Sequence, residues 1–107
     1  MSKNDTVFSL QLFYSAVNFL GCWYDAKGDR AIQGDHGDLG VRGCYELSRD
    51  LNYSTFGVAD GLHCYTSSTA ENTYQKYGQQ VKGGLCYRSN VEVYEIKNTG
   101  KMDYEIV

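Results

Sequence analysis

The chain has 107 residues, 42% of them apolar, and a formal net charge of −3, which suits one domain with a single modest core and excludes a disordered tail. Its ten Lys and Arg are scattered with no two adjacent, so the clustered positive charge that nucleic acid or an acidic membrane surface requires is missing. With no proline, twelve glycines and ten tyrosines, turns must be built from Gly, Asn and Asp, and the tyrosines suit half-buried strands or ligand faces.

In chain order, residues 7–13 alternate Phe8, Leu10 and Leu12 against Ser9 and Gln11, a period of two that predicts a strand. Residues 7–20 are broken by Ser9, Gln11, Ser15 and Asn18, too polar for a secretory leader or a membrane span, so the chain reads as a mature domain with no membrane insertion. A second strand is predicted over residues 14–24, with Gly21 marking a bend or bulge. Residues 25–40 are rich in Asp and Gly and predict a surface loop with Ile32 tucked in.

The best helix signal covers residues 39–51, with Asp38 as predicted N-cap. Val41, Cys44, Leu47 and Leu51 form its apolar stripe, with Tyr45 or Ser48 beside them, while Arg42, Glu46, Arg49 and Asp50 face out. Gly43 costs about 1 kcal/mol relative to Ala, which predicts close packing on a neighbour, and Asn52 is suited to end the helix in a left-handed conformation. Residues 53–59 and 61–66 predict a hairpin about Asp60-Gly61. Residues 67–80 are polar, a loop or a short helix around residues 71–77. Gly83-Gly84 breaks the chain, residues 91–96 alternate as a strand, and residues 102–107 predict a last edge strand. The expected architecture over residues 1–107 is a single α+β domain, a twisted antiparallel sheet with one helix packed across it.

Cys22, Cys44, Cys64 and Cys86 include no CxxC pair, which disfavours a zinc knuckle or a thioredoxin-type motif and favours two disulfides in an oxidising compartment. Three pairings are open. Cys44–Cys64 with Cys22–Cys86 is favoured because it joins elements that must already pack, helix to hairpin and first strand to C-terminal region. Two sequons, at Asn4 and Asn52, are acceptors for glycan only in a secreted chain.

The ordered motifs Leu20-Gly21-Cys22-Trp23-Tyr24-Asp25, Asp29-Arg30-Ala31, Cys44, Tyr53-Ser54-Thr55-Phe56-Gly57-Val58, Gly61-Leu62-His63-Cys64-Tyr65, Gly83-Gly84 and Val93-Tyr94 resemble a WSC domain over about residues 19–96. WSC domains usually carry eight cysteines. Here Ser48 and Thr66 stand near two of the expected positions, another expected before Gly83 is missing, and Cys86 follows the glycine pair. The chain thus resembles a divergent, two-disulfide WSC-like protein. The resemblance implies an extracellular module that binds polysaccharide or cell-surface glycans, with no sugar site to carry over residue by residue.

Trp23, Arg30, Asp60, Tyr65, Tyr74 and Tyr77 are the candidate carbohydrate contacts. A flat aromatic ring suits the CH face of a pyranose, although a lone Trp beside a disulfide on a strand is more often core. Tyr65, Tyr74, Tyr77 and Tyr87 lie among Ser, Thr, Asn and Gln, the composition of adaptable recognition surfaces. Asp25, Asp29, Asp35, Asp38 and His36 form an acidic stretch without EF-hand spacing. The favoured reading there is a solvated loop with Asp29 paired to Arg30 or Lys27; calcium at Asp35 and Asp38 is the weaker alternative, and no cofactor or metal is expected. Only His36 and His63 are available as neutral-pH bases. His63 cannot couple with Cys64 because strand neighbours point to opposite faces, so no enzyme is expected; a small polysaccharide hydrolase is a distant third reading. The leading expectation is a secreted, non-catalytic, lectin-like homo-oligomer that binds glycans. An extracellular protein–protein or adhesion module, presenting Tyr14, Tyr24 and residues 102–107, is the alternative.

Overall fold

A computed structural model describes residues 15–81 and 85–97. The strands expected at residues 7–13 and 102–107, Tyr14 and the Gly83-Gly84 break lie outside these. Among the described residues, five strands form one antiparallel sheet: β1 (Val17–Trp23), β2 (Asp35–Asp38), β3 (Thr55–Ala59), β4 (His63–Thr66) and β5 (Val91–Ile96), in the order β1-β5-β3-β4-β2. Helix α1 (Gly40–Asp50) follows β2, and the short helix α2 (Ala70–Thr73) follows β4. The α+β architecture matches the expectation.

The alternation of β3 divides the core between the two faces of the sheet. Phe56 and Val58 meet Cys44 and Tyr45 of α1, with Val17 and Cys64 alongside. Ala59 packs on the opposite face with Tyr65, Ala70, Val91, Val93 and Ile32. Gly57 makes the second layer possible: a Cβ there would lie 3.0 Å from Ile32 Cδ1. The predicted burial of Ile32 therefore rests on a bare backbone in the central strand.

Gly21 forms the expected bulge. The β1–β5 register passes from Phe19↔Tyr94 directly to Gly21↔Val93, leaving Leu20 extra, and Gly21 has φ 109°. The extra residue brings Leu20 and Trp23, three apart, onto the same core cluster. Beyond the bulge, the free edge of β1 is covered by residues 78–80 through Tyr24 N to Gly78 O and Gln80 N to Cys22 O, each 2.9 Å. Gln80 is buried, and its Oε1 accepts from the Tyr87 amide at 2.9 Å and from Asn90 Nδ2 at 2.8 Å. Those bonds hold the segment that carries Cys86.

Both favoured cysteine pairs form. Cys44–Cys64 fastens α1 to β4, and Cys22–Cys86 fastens β1 to the segment before β5, each with a Cα–Cα distance of 5.4 Å. The Asp60-Gly61 hairpin also forms, with φ 56° and 69° at the two residues and Leu62 N donating to Ala59 O at 3.0 Å, as a primed turn demands. Asn52 adopts φ 63° after α1, as expected.

Three local expectations need correction. The loop predicted over residues 25–40 contains β2, an edge strand paired to β4 at Asp35↔Tyr65 and Asp38↔His63. Its sequence, Asp-His-Gly-Asp, lacks apolar alternation because the strand lies at the sheet edge with three of its four residues exposed. Asp38 is not the helix N-cap. Leu39 takes that position without a side-chain cap, because the Asp38 carboxylate is committed to His63. Gly43 marks no close approach by another element, since the atom nearest to an added Cβ is Leu39 Cβ of the helix start, at 3.1 Å.

Candidate functional site

The face of the sheet opposite α1 is covered by residues 24–34 and the segment through α2, and these carry three of the six candidate residues, Arg30, Tyr74 and Tyr77. Asp25 organises the first segment. Its side chain is 2% exposed, and Oδ1 accepts from the amides of Ala26 at 3.0 Å and Ala31 at 2.8 Å. Oδ2 accepts from Arg30 Nη1 at 2.8 Å. The Asp25 carboxylate raises the Arg30 guanidinium above its ordinary pKa, mainly by that hydrogen bond. Arg30 Cζ lies 5.0 Å from the Tyr65 ring centroid, a cation–π contact. Burial pushes the Tyr65 phenol up.

Asp29 meets the segment after α2. Its Oδ2 accepts from Lys76 Nζ at 2.8 Å, and the Tyr77 hydroxyl lies 2.6 Å from its carbonyl oxygen and 2.9 Å from Oδ2. The Lys76 hydrogen bond is the main cause that lowers the Asp29 pKa. Trp23 is half-buried: its ring stands edge-on to Tyr74 at 4.9 Å and its Nε1 donates to Leu20 O at 3.1 Å. Gln75 Nε2 donates to the Tyr74 hydroxyl at 3.1 Å. Asn72, Thr73, Gln75 and Lys76, which flank Tyr74 in sequence, line an open depression of about 490 Å³.

His63 lies 5.0 Å from Tyr65, ring to ring, on the same strand. Its Nδ1 is 2.9 Å from Asp38 Oδ1 and its Nε2 is 2.5 Å from Asp35 Oδ1. The contact to Asp38 first, then that to Asp35, raises the His63 pKa. The Gly37 amide and His63 together lower that of Asp35.

The structure joins four of the six candidates in two pairs. Arg30 meets Tyr65, Trp23 meets Tyr74, and Tyr77 reaches Arg30's neighbour Asp29. Asp60 stands exposed in the β3–β4 turn, near enough for its charge to raise Tyr65, and among the described residues no side-chain hydrogen bond or ring contact ties it to the other five. The expected pairing of Asp29 with Arg30 or Lys27 is replaced by Asp29–Lys76 and Asp25–Arg30. Lys76 lies 47 positions from Asp29 in sequence, beyond the reach of any local pattern, whereas Asp25 and Arg30, only 5 positions apart, carry no local sign that they pair. Among the described residues, no group of three or more His, Cys, Asp and Glu is disposed to hold a metal ion, and no helix is long and apolar enough to cross a membrane. Cys64 is oxidised and carries no thiol.

Comparison with protein-family models, with curated proteins and with solved structures gives no match.

Proposed function

We propose that the chain is a non-catalytic carbohydrate-binding module that takes neutral glycans at the surface around Tyr74 and Tyr77. The observation that carries this reading is the open depression lined by Asn72, Thr73, Gln75 and Lys76, with Tyr74 and Tyr77 beside its lining residues in sequence. Amides, hydroxyls and an ammonium are the groups that exchange hydrogen bonds with sugar hydroxyls, and phenol rings offer flat faces to pyranose CH groups. Lys76 is already paired with Asp29, and Arg30 with Asp25, so neither cation is uncommitted for a sulfated or carboxylated sugar.

Two disulfides fit an oxidising, extracellular setting, and the WSC-like order of motifs adds to the reading. Each sugar hydroxyl trades water hydrogen bonds for protein ones at small net gain, so a single site binds weakly and function calls for several copies. The test is a glycan array on the non-reduced protein with and without EDTA, followed by titration of Tyr74→Ala and Tyr77→Ala. Binding to neutral glycans that survives EDTA and falls in both variants supports the site. Binding lost to EDTA moves recognition to a metal at the Asp-rich loop, and silence in both arms overturns the reading in favour of a protein-interaction module.

A further inference from the structure

Among the described residues, the edge strand β2 pairs with β4 alone, at two register partners separated by an irregularity, and backbone bonds flank it from Thr66 N to Gly34 O at 3.1 Å and from Gly40 N to Leu62 O at 2.8 Å. Asp35, His36 and Asp38 are exposed. The side-chain contacts between β2 and β4 include the His63 imidazole, with one ring nitrogen against each carboxylate of β2, at 2.9 Å and 2.5 Å.

The proton count follows from donor chemistry. An ionised carboxylate only accepts hydrogen bonds, and a neutral imidazole has one N–H and one lone pair. With both ring nitrogens facing carboxylate oxygens, a neutral ring satisfies one contact and sets lone pair against lone pair in the other. The imidazolium donates to both. We propose that Asp35, His63 and Asp38 form an acid-strengthened latch that fastens β2 to the sheet and is complete only when His63 carries both ring protons.

The charged and titratable surroundings are consistent with this. From β2, His63 faces Asp35 and Asp38; His36, on the same strand, has its Nε2 3.3 Å from the Thr66 carbonyl. From β4 it faces the Tyr65 ring, neutral through the relevant range. The nearest cation from the residue 24–34 segment is Arg30, which acts on Asp35 but is bound to Asp25. Asp60, from the β3–β4 turn, acts on Tyr65 and adds a further negative charge. The latch is independent of the glycan reading and stands or falls on different measurements.

The test uses the full, disulfide-intact chain. NMR titration of its two histidines, with His36→Asn to assign them, reads the His63 pKa. Hydrogen exchange over residues 34–40 and at the Thr66 amide, corrected for intrinsic rates, reads latch opening at about pH 5 and about pH 8, on either side of the ordinary imidazole range. The expected results are a His63 pKa above the ordinary value and an opening equilibrium that rises about tenfold on deprotonation for each unit of that displacement. Amides of β3 and β5 that exchange through global unfolding should follow the stability read from urea midpoints at the same pH values. His63→Gln should leave the segment open at both pH values. A His63 pKa at or below the ordinary value, or opening that is the same at both pH values in the wild-type chain, overturns the latch, and neither reading requires the variant to fold.

Discussion

The Arg30 guanidinium lies 5.0 Å over the Tyr65 ring while donating at 2.8 Å to Asp25. Three residues from two segments thus join the residue 24–34 segment to the sheet, with Asp25 also accepting two backbone amides. Asp25→Ala should cost about 2–3 kcal/mol, because it leaves a charge and two amides without their acceptor. Arg30→Lys, which keeps the charge and loses the planar stack, should cost about 1 kcal/mol. Urea unfolding of the oxidised protein decides, and equal losses for the two variants would contradict this ranking.

Gly57 and Ile32 should be coupled. Gly57→Ala places a Cβ 3.0 Å from Ile32 Cδ1 and should cost about 1–3 kcal/mol by overpacking. Ile32→Val removes that Cδ1 and alone should cost about 1 kcal/mol. The double variant should be more stable than the sum of the two losses predicts. Simple additivity in a double-mutant cycle would show that the contact relaxes elsewhere.

The two disulfides should differ in reducibility and in worth. Cys44 and Cys64 are completely buried, whereas Cys22 and Cys86 are half-buried. Under mild reductant, thiol trapping should label Cys22 and Cys86 first. Sequence separations of 64 and 20 residues give about 4 kcal/mol for Cys22–Cys86 and about 3 kcal/mol for Cys44–Cys64 by loop-closure entropy. Simultaneous labelling of all four cysteines would mean that opening is global.

Stability should pass through a maximum in mild acid. His63 has a raised pKa, so its contribution is full below the ordinary imidazole value and is lost as pH rises through the folded value. Asp35 has a lowered pKa, so its contribution is full above the ordinary carboxylate value and is lost as pH falls through the folded value. Both are present between about pH 4 and about pH 6.5. The His63→Gln variant should lose the upper limb of the profile in urea midpoints measured across pH. An unchanged upper limb would assign it to another group.

Much of the fold is legible in local patterns. The period-two run at residues 91–96, the helical stripe through Val41, Cys44 and Leu47, and the Asp60-Gly61 turn each act over a few residues, where backbone sterics and side-chain direction suffice. Once the helix and hairpin are recognised, packing favours Cys44–Cys64, and Cys22–Cys86 remains. Strand β2 escapes this logic because an edge strand of Asp, His and Gly carries no apolar alternation. Of the candidate site, the residue types are legible and the partnerships are not: no pattern in the sequence pairs Asp25 with Arg30 or Asp29 with Lys76.

The chain by itself determined the class of domain, most of the antiparallel elements and a bend or bulge at Gly21, and favoured one of three cysteine pairings, because each follows from short-range periodicity, turn chemistry or the joining of elements that must pack. Tertiary structure alone decided which carboxylate each cation meets. Asp29 takes Lys76 rather than its neighbour Arg30, and Asp38 takes His63 rather than the helix amides. Sequence neighbours on this sheet point to opposite faces, as His63 and Cys64 do, and charge attraction acts through space. For Asp38 the partner is the group that the β2–β4 register brings opposite, 25 positions away, and for Asp29 it is the one that loop packing brings near, 47 positions away.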